Sequence, residues 1–339
     1  MNHKFHHNEP FPLERGGEIE NLEIAYSTFG TLNEAKDNVI WVCHALTANS
    51  DVADWWPHTV ERGRFLDPDK WFVICANIIG SAYGTTGPLS INPATGTPYF
   101  GSFPKITIRD VVNAHILLAD SLGIDRIHTL MGSSLGGFQA LEWAVMQPQR
   151  IERLVLIATD YHVTPWAAGL NETQRMAILA DADYGKHHED AGKTGMAAAR
   201  ALALLSYRGA SGYNLAQHND GDTPPYAHRV QTYQRYQGEK LCNRFNAYSY
   251  MTILDIHDSH DISRGRGSAE DVLSGVRAKT ACISITTDIL FTPEEVKYLC
   301  RAIPDAEYFE IESEFGHDGF LVEHDKLNKI INSFITGKK

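Results

Sequence analysis

The chain has 339 residues, 43% of them apolar and 21% charged, and a formal net charge of −12. That length supports a sizeable core in one large domain with an insertion, or two domains. The acidic balance disfavours nucleic acid or an anionic membrane surface as partner, because both attract positive charge.

The first residues, Met1-Asn2-His3-Lys4-Phe5-His6-His7, hold no apolar run of the kind a secretory signal needs. No later stretch nears the ~20 apolar residues that span a bilayer. Five cysteines are scattered without a CxxC pair, and Cys43, Cys75 and Cys282 sit in apolar runs. They read as buried, reduced thiols, so the expected setting is cytoplasmic. Residues 22–30 predict an antiparallel hairpin strand. Residues 38–43, 71–77, 126–131 and 153–158 are short, apolar and rich in β-branched side chains, the pattern of buried parallel strands. Helical patterns at 108–122 and 135–146 lie between them. This alternation predicts an α/β fold. After Asp160 the character changes. From about 164 to 271 the chain is richer in Ala, Tyr, Gln, Asn and His, with helical stretches at 195–207 and 225–237. The strand pattern resumes at 279–286 and 306–311, and an amphipathic helix at 325–335 closes the chain. The expected organisation is a discontinuous core, residues 1–163 and 276–339, with a helical cap inserted at 164–275.

The strongest local signal is Gly132-Ser133-Ser134-Leu135-Gly136-Gly137, a G-x-S-x-G pattern between a predicted strand and a predicted helix. That is the context of a nucleophile elbow, where a sharp turn pushes a serine hydroxyl out of the sheet and small neighbours relieve the crowding. It points to Ser134 as nucleophile in an α/β-hydrolase fold, a mostly parallel sheet flanked by helices. A serine needs a base. Chain order in this fold runs Ser, acid, His. Among sixteen histidines, His317 in Gly316-His317-Asp318-Gly319 follows a late strand, and Asp288 follows the strand before it. The predicted triad is Ser134, Asp288 and His317. Backbone N–H groups of Leu46 and Leu135 are the expected oxyanion donors. Arg264-Gly265-Arg266-Gly267 is no dinucleotide loop, because no strand leads into it. His257-Asp258-Ser259-His260-Asp261 lacks zinc-site spacing, and no metal is expected.

Beyond the elbow, Cys43-His44-Ala45-Leu46-Thr47, Tyr83-Gly84-Thr85-Thr86-Gly87-Pro88, Gln139-Ala140-Leu141-Glu142-Trp143, Asp288-Ile289-Leu290-Phe291 and Gly316-His317-Asp318 together resemble the homoserine O-acetyltransferase family over nearly the whole chain. The resemblance implies acetyl transfer from acetyl-CoA, a co-substrate and not a bound cofactor, to the side-chain hydroxyl of L-homoserine, a step of methionine biosynthesis. It implies a ping-pong route through an acyl-serine. It assigns the amino acid's carboxylate to Arg208, in the pair Tyr207-Arg208, and its ammonium to Asp318. It also implies a homodimer meeting through the cap. The chain departs from the family pattern at Ala48, where glycine is usual, and at Ser133 and Leu135, where glycine and methionine are commoner. Four alternatives use the same scaffold: succinyl transfer, serine as acceptor, hydrolysis of the acyl-serine, and binding without catalysis.

Overall fold

The computed structural model describes residues 1–219, 221, 224 and 226–337. Among them an eight-stranded sheet forms from β1 (Asn2–His7), β2 (Leu22–Phe29), β3 (Val39–Cys43), β4 (Phe72–Ala76), β5 (Ile127–Ser133), β6 (Ile151–Ile157), β7 (Lys279–Ile285) and β8 (Ala306–Ile311). Their order across the sheet is β1-β2-β4-β3-β5-β6-β7-β8. The pairs β1–β2 and β2–β4 are antiparallel; all others are parallel. The predicted strands lie within about one or two residues of these bounds, the ordinary error of element ends. Strand β1 was not predicted. Its residues are polar apart from Phe5 and give no alternation of apolar side chains; pairing with β2 along Asn2–His7 makes it a strand.

The central strands are buried on both faces, and the side-chain period of two divides them into two cores. Val39, Trp41 and Cys43 face one side with Ile74, Leu130 and Leu156. Ile40 and Val42 face the other with Val73, Met131 and Ile157. The first core is covered by α1 (Ile108–Ser121) and α2 (Leu135–Met146), through Val111, Phe138 and Leu141. The second is covered by the last helix, α10 (His324–Thr336), through Leu327, Ile331 and Phe334. Each fully buried aliphatic side chain contributes ~1.5–3 kcal/mol, so this two-sided burial is what fixes the sheet as a platform.

Between β6 and β7 the described residues form the helices α3 (Pro165–Leu179), α4 (Lys193–Tyr207), α5 (Ala210–Ala216), α6 (Arg229–Cys242), α7 (Ala247–Asp258) and α8 (Ala269–Ser274). The helix expected at 225–237 lies at Arg229–Cys242; Pro225 is outside the described residues. Helix α9 (Pro293–Ala302) joins β7 to β8 and opens on a capping box between Thr292 and Glu295. The Arg264–Arg266 stretch is a structural clasp. Arg264 donates to Glu14 and Arg266 to the buried Glu142, while Arg109 also reaches Glu14. These ion pairs tie the N-terminal segment, α1 and α2 to the end of the helical stretch.

Candidate active site

The parallel strands end on one side of the sheet, and the loops that follow them carry Leu46, Ser134, Asp288, His317 and Asp318. Ser134 sits between β5 and α2 with φ 55° and ψ −126°. A non-glycine residue there is strained, and strain of this kind collects at functional sites. The turn closes only because its neighbours lack side chains. A Cβ on Gly132 would lie 2.0 Å from the Gly136 carbonyl oxygen, and one on Gly136 would lie 2.1 Å from that of Cys43. The Ser134 N–H donates to the Ile157 carbonyl and Thr159 Oγ1 to the Ser134 carbonyl, which locks the elbow to β6.

After β8, His317 lies buried with its Nδ1 2.7 Å from Asp288 Oδ2. Asp288 Oδ1 accepts from the N–H groups of Leu290 and Phe291, which fixes the carboxylate. With Nδ1 held there, Nε2 is the nitrogen left to exchange a proton. Burial alone would lower His317. The charge and hydrogen bond of Asp288 outweigh it, and Asp318 adds to them, so the imidazole is raised above its usual 6.5. Asp160, the other carboxylate after a strand, makes no bond to His317. It is buried and pushed up to about 7 by desolvation, and its Oδ1 accepts from the Tyr161 N–H.

Ser134 and His317 line a cavity of ≈ 450 Å³ together with Leu46, Tyr207 and Asp318. Among the described residues no hydrogen bond joins Ser134 to the imidazole; catalytic contacts of this kind often tighten only with substrate bound. The Leu46 and Leu135 N–H groups donate to nothing within the described chain. The Leu46 segment is held from three sides. Gln139 donates to the His44 carbonyl at 3.0 Å, Tyr83 to the Thr47 carbonyl at 3.2 Å, and Arg244 to the same carbonyl at 2.6 Å. His44 itself is structural: it is fully buried, its Nε2 accepts from the Ile78 N–H, and desolvation lowers it to about 4.

Arg208 and Asp318, assigned to opposite ends of one amino acid, form an ion pair at 2.9 Å. The approach of the helical segment to the His317 loop depends on two glycines. A Cβ on Gly209 would meet the Glu314 carbonyl oxygen at 2.4 Å, and one on Gly316 would meet the Gly209 nitrogen at 2.4 Å. Burial raises the Asp318 carboxyl above its ordinary range, with Arg208, His317 and Arg200 pulling it back. The buried Arg208 Nε has no partner among the described residues. Three more cations, Arg200, Lys240 and Arg244, line the cavity and form no ion pair with a carboxylate among the described residues. They went unnoticed in the sequence because nothing local sets them apart from surface residues of α4 and α6.

Residues 38–324 match the family model of the alpha/beta hydrolase fold. The chain is 44% identical to a homoserine O-acetyltransferase of Cyclobacterium marinum over 97% of its own length and 94% of the relative's. Among solved structures it is similar to homoserine O-acetyltransferase from Bacillus anthracis, with a TM-score of 0.93 at 27% identity, covering 99% of this chain and 97% of the other. It is also similar to esterase E22, with a TM-score of 0.91 at 25% identity and 99% of each chain covered. With a strained serine after β5, an Asp–His pair after β7 and β8, and full-length identity of this order, the chain belongs to the homoserine O-acetyltransferase family of the alpha/beta hydrolase fold.

Proposed function

We propose that the protein transfers an acetyl group from acetyl-CoA to the side-chain hydroxyl of L-homoserine through an acyl-serine on Ser134. In the first half, Ser134 Oγ attacks the thioester carbonyl while His317 Nε2 takes its proton. The oxyanion is held by the Leu46 and Leu135 N–H groups. The C–S bond then breaks, and the proton passes from His317 to the departing CoA thiolate. In the second half, the homoserine hydroxyl gives its proton to His317 and attacks the acyl carbon. The bond to Ser134 Oγ breaks and the serine regains its proton. Asp288 keeps the imidazole oriented and stabilises its charged form.

The observation that carries this reading is the Arg208–Asp318 pair beside His317. An arginine suits a carboxylate and an aspartate an ammonium, so an incoming zwitterionic amino acid meets both its complements. A site for hydrolysis needs neither. The cavity-lining Arg200, Lys240 and Arg244 suit an anionic donor such as acetyl-CoA. The likeness to an esterase favours one second reading, release of the acyl group to water.

The test follows thiol release from acetyl-CoA with homoserine, with serine and with no acceptor. Homoserine should raise turnover well above the other two; equal rates in all three would favour the esterase. Arg208→Ala should raise the homoserine KM strongly, since a charge-assisted pair in a closed site is worth on the order of 2–4 kcal/mol. The burst of CoA should persist and turnover then stall. A slowed burst with homoserine KM unchanged would remove Arg208 from the acceptor site.

The cap is assigned to residues 164–275, and a homodimer is proposed to meet through it. Exposed Trp166, Met176 and Leu179 on α3 and Leu202 and Leu205 on α4 support that contact. The five cysteines are free and buried, which supports a reducing, cytoplasmic setting. Among the described residues no helix is long and apolar enough to cross a membrane.

A further inference from the structure

Ser134, Leu46 and Tyr207 border two spaces of very different size. One is the wide cavity that holds His317, Asp318 and the three cations. The other is a small cavity of ≈ 10 Å³, closed by Leu170, Asn171, Gln174, Ser206, His257 and Leu290. Beyond it, on the outer surface of α3 and α4, lies an apolar groove of ≈ 240 Å³ bordered by Trp166, Leu202, Leu205 and Ile289. Leu170, Gln174 and Ser206 line both the small cavity and the groove. They are a wall one side chain thick.

The geometry of acyl transfer gives the small cavity a role. The carbon bonded to Ser134 Oγ carries three further substituents in the tetrahedral intermediate. Its oxygen belongs between the Leu46 and Leu135 N–H groups. Its sulfur, and later the acceptor oxygen, must come from the wide cavity. The remaining direction, for the acyl chain, is the small cavity. We infer that this cavity is the acyl site, and that the wall of Leu170, Gln174 and Ser206 restricts the transferred group to two carbons. The inference rests on the acyl-serine reading above.

Size and charge both support the restriction. About 10–15 Å³ is what a single water needs, and a methyl group is of similar size, so the acetyl methyl fits and a longer chain meets the wall. A succinyl group would add a buried carboxylate, which needs a cation or several donors. No lysine or arginine lines the cavity. Its amides are already engaged: Asn171 Nδ2 donates to His257 and Asp258, and Gln174 Nε2 to the Leu170 carbonyl. Tyr250 donates to Gln174 Oε1 at 2.6 Å, which holds that part of the wall rigid. Ser206 is tied to the Ala203 carbonyl. Leu170 is the wall residue whose side chain has no polar tether, so it is the one that can be shortened without leaving a buried donor unpaired.

The experiment compares acetyl-, butyryl- and hexanoyl-CoA on the wild type, Leu170→Ala and Leu170→Val, reading kcat/KM for thiol release alongside a thermal melt. The wild type should use acetyl-CoA and discriminate against the longer donors. Leu170→Ala should raise the hexanoyl-to-acetyl ratio by ~10-fold or more, the scale of discrimination for methylenes in an apolar pocket, with Leu170→Val between. Folded variants with the wild-type ratio would overturn the inference. So would a wild type that accepts hexanoyl-CoA as well as acetyl-CoA. If Leu170→Ala fails to fold, the milder Leu170→Val carries the comparison. p-Nitrophenyl esters of two to six carbons repeat the series with water as acceptor. Should no acyl-CoA be turned over, the transferase reading fails, while a two-carbon limit on the esters that Leu170→Ala relaxes would still support the wall.

Discussion

The Ser134 hydroxyl has little reactivity of its own near neutral pH, so its reaction depends on what surrounds it. The strained turn sets it at the cavity wall, where His317 with Asp288 can take its proton. Ser134→Ala should therefore lower turnover by on the order of 10⁴ or more while the melt stays unchanged. Mass spectrometry after acetyl-CoA alone should find an acetyl group on Ser134; an unmodified serine during active turnover would point to direct transfer. The imidazole leads to a second expectation. It works as a base only when neutral, and Asp288 raises its pKa above 6.5. Activity should thus fall with acid through a midpoint above 6.5. Asp288→Asn removes the stabilising charge, so its residual activity should show that midpoint moved to lower pH. A pH profile identical in both proteins would assign the acid limb to another group. The placement of Ser134, Asp288 and His317 was legible in the sequence because each follows a strand. The Arg208–Asp318 contact was not, since two side chains 110 positions apart meet only through the glycine contact of Gly209 with Gly316.

Elements matter here through what they hold still. Helix α2 anchors the elbow, and its Gln139 reaches back to the segment carrying Leu46. Arg244, just after α6, donates to the Thr47 carbonyl of the same segment. The Arg264–Glu14 pair does similar work for the core, joining the N-terminal segment to the end of the helical stretch. Burial acts to raise the Glu14 carboxyl, but the hydrogen bonds from Arg264 and Thr107 and the charges of Arg264 and Arg109 outweigh it and hold it at about 2. A depressed carboxyl stabilises the fold above its unfolded pKa, near 4.5, and that contribution disappears as pH falls through about 2. Glu14→Gln should consequently lower the melting temperature at pH 7. The gap to wild type should narrow steadily between those two values. A gap independent of pH would mean that packing, not charge, is what the variant loses. In the sequence the Arg-Gly-Arg-Gly stretch shows only that no strand leads into it. Its role as a clasp was not legible, because Glu14 and Glu142 lie far from it along the chain.

At the scale of the whole molecule, a helical segment laid over the carboxyl ends of parallel strands leaves a cavity of ≈ 450 Å³ at Ser134. Loops at those strand ends converge there from distant parts of the chain. The same segment presents exposed Met176 and Leu179 on its outer side, a poor surface for a monomer. Sedimentation should give a dimer for the wild type, and Met176→Glu with Leu179→Glu should yield a monomer. A wild type that sediments as a monomer at micromolar concentration would remove the proposed interface.

The sequence by itself determined the alternation of strands and helices, the elbow at Ser134, the order Ser–Asp–His and the helical run after β6. These follow from local causes: the period of apolar side chains, glycines where a turn allows no Cβ, and loop residues after strands. Only the tertiary structure decided that Asn2–His7 forms an edge strand, that Arg200, Lys240 and Arg244 face the cavity, and that Leu170 stands between a small cavity and an outer groove. The physical reason is the same in each case. A strand without alternation, a cation lining a cavity and a partly buried leucine take their roles from neighbours that folding brings close, and no pattern along the chain records which neighbours those are.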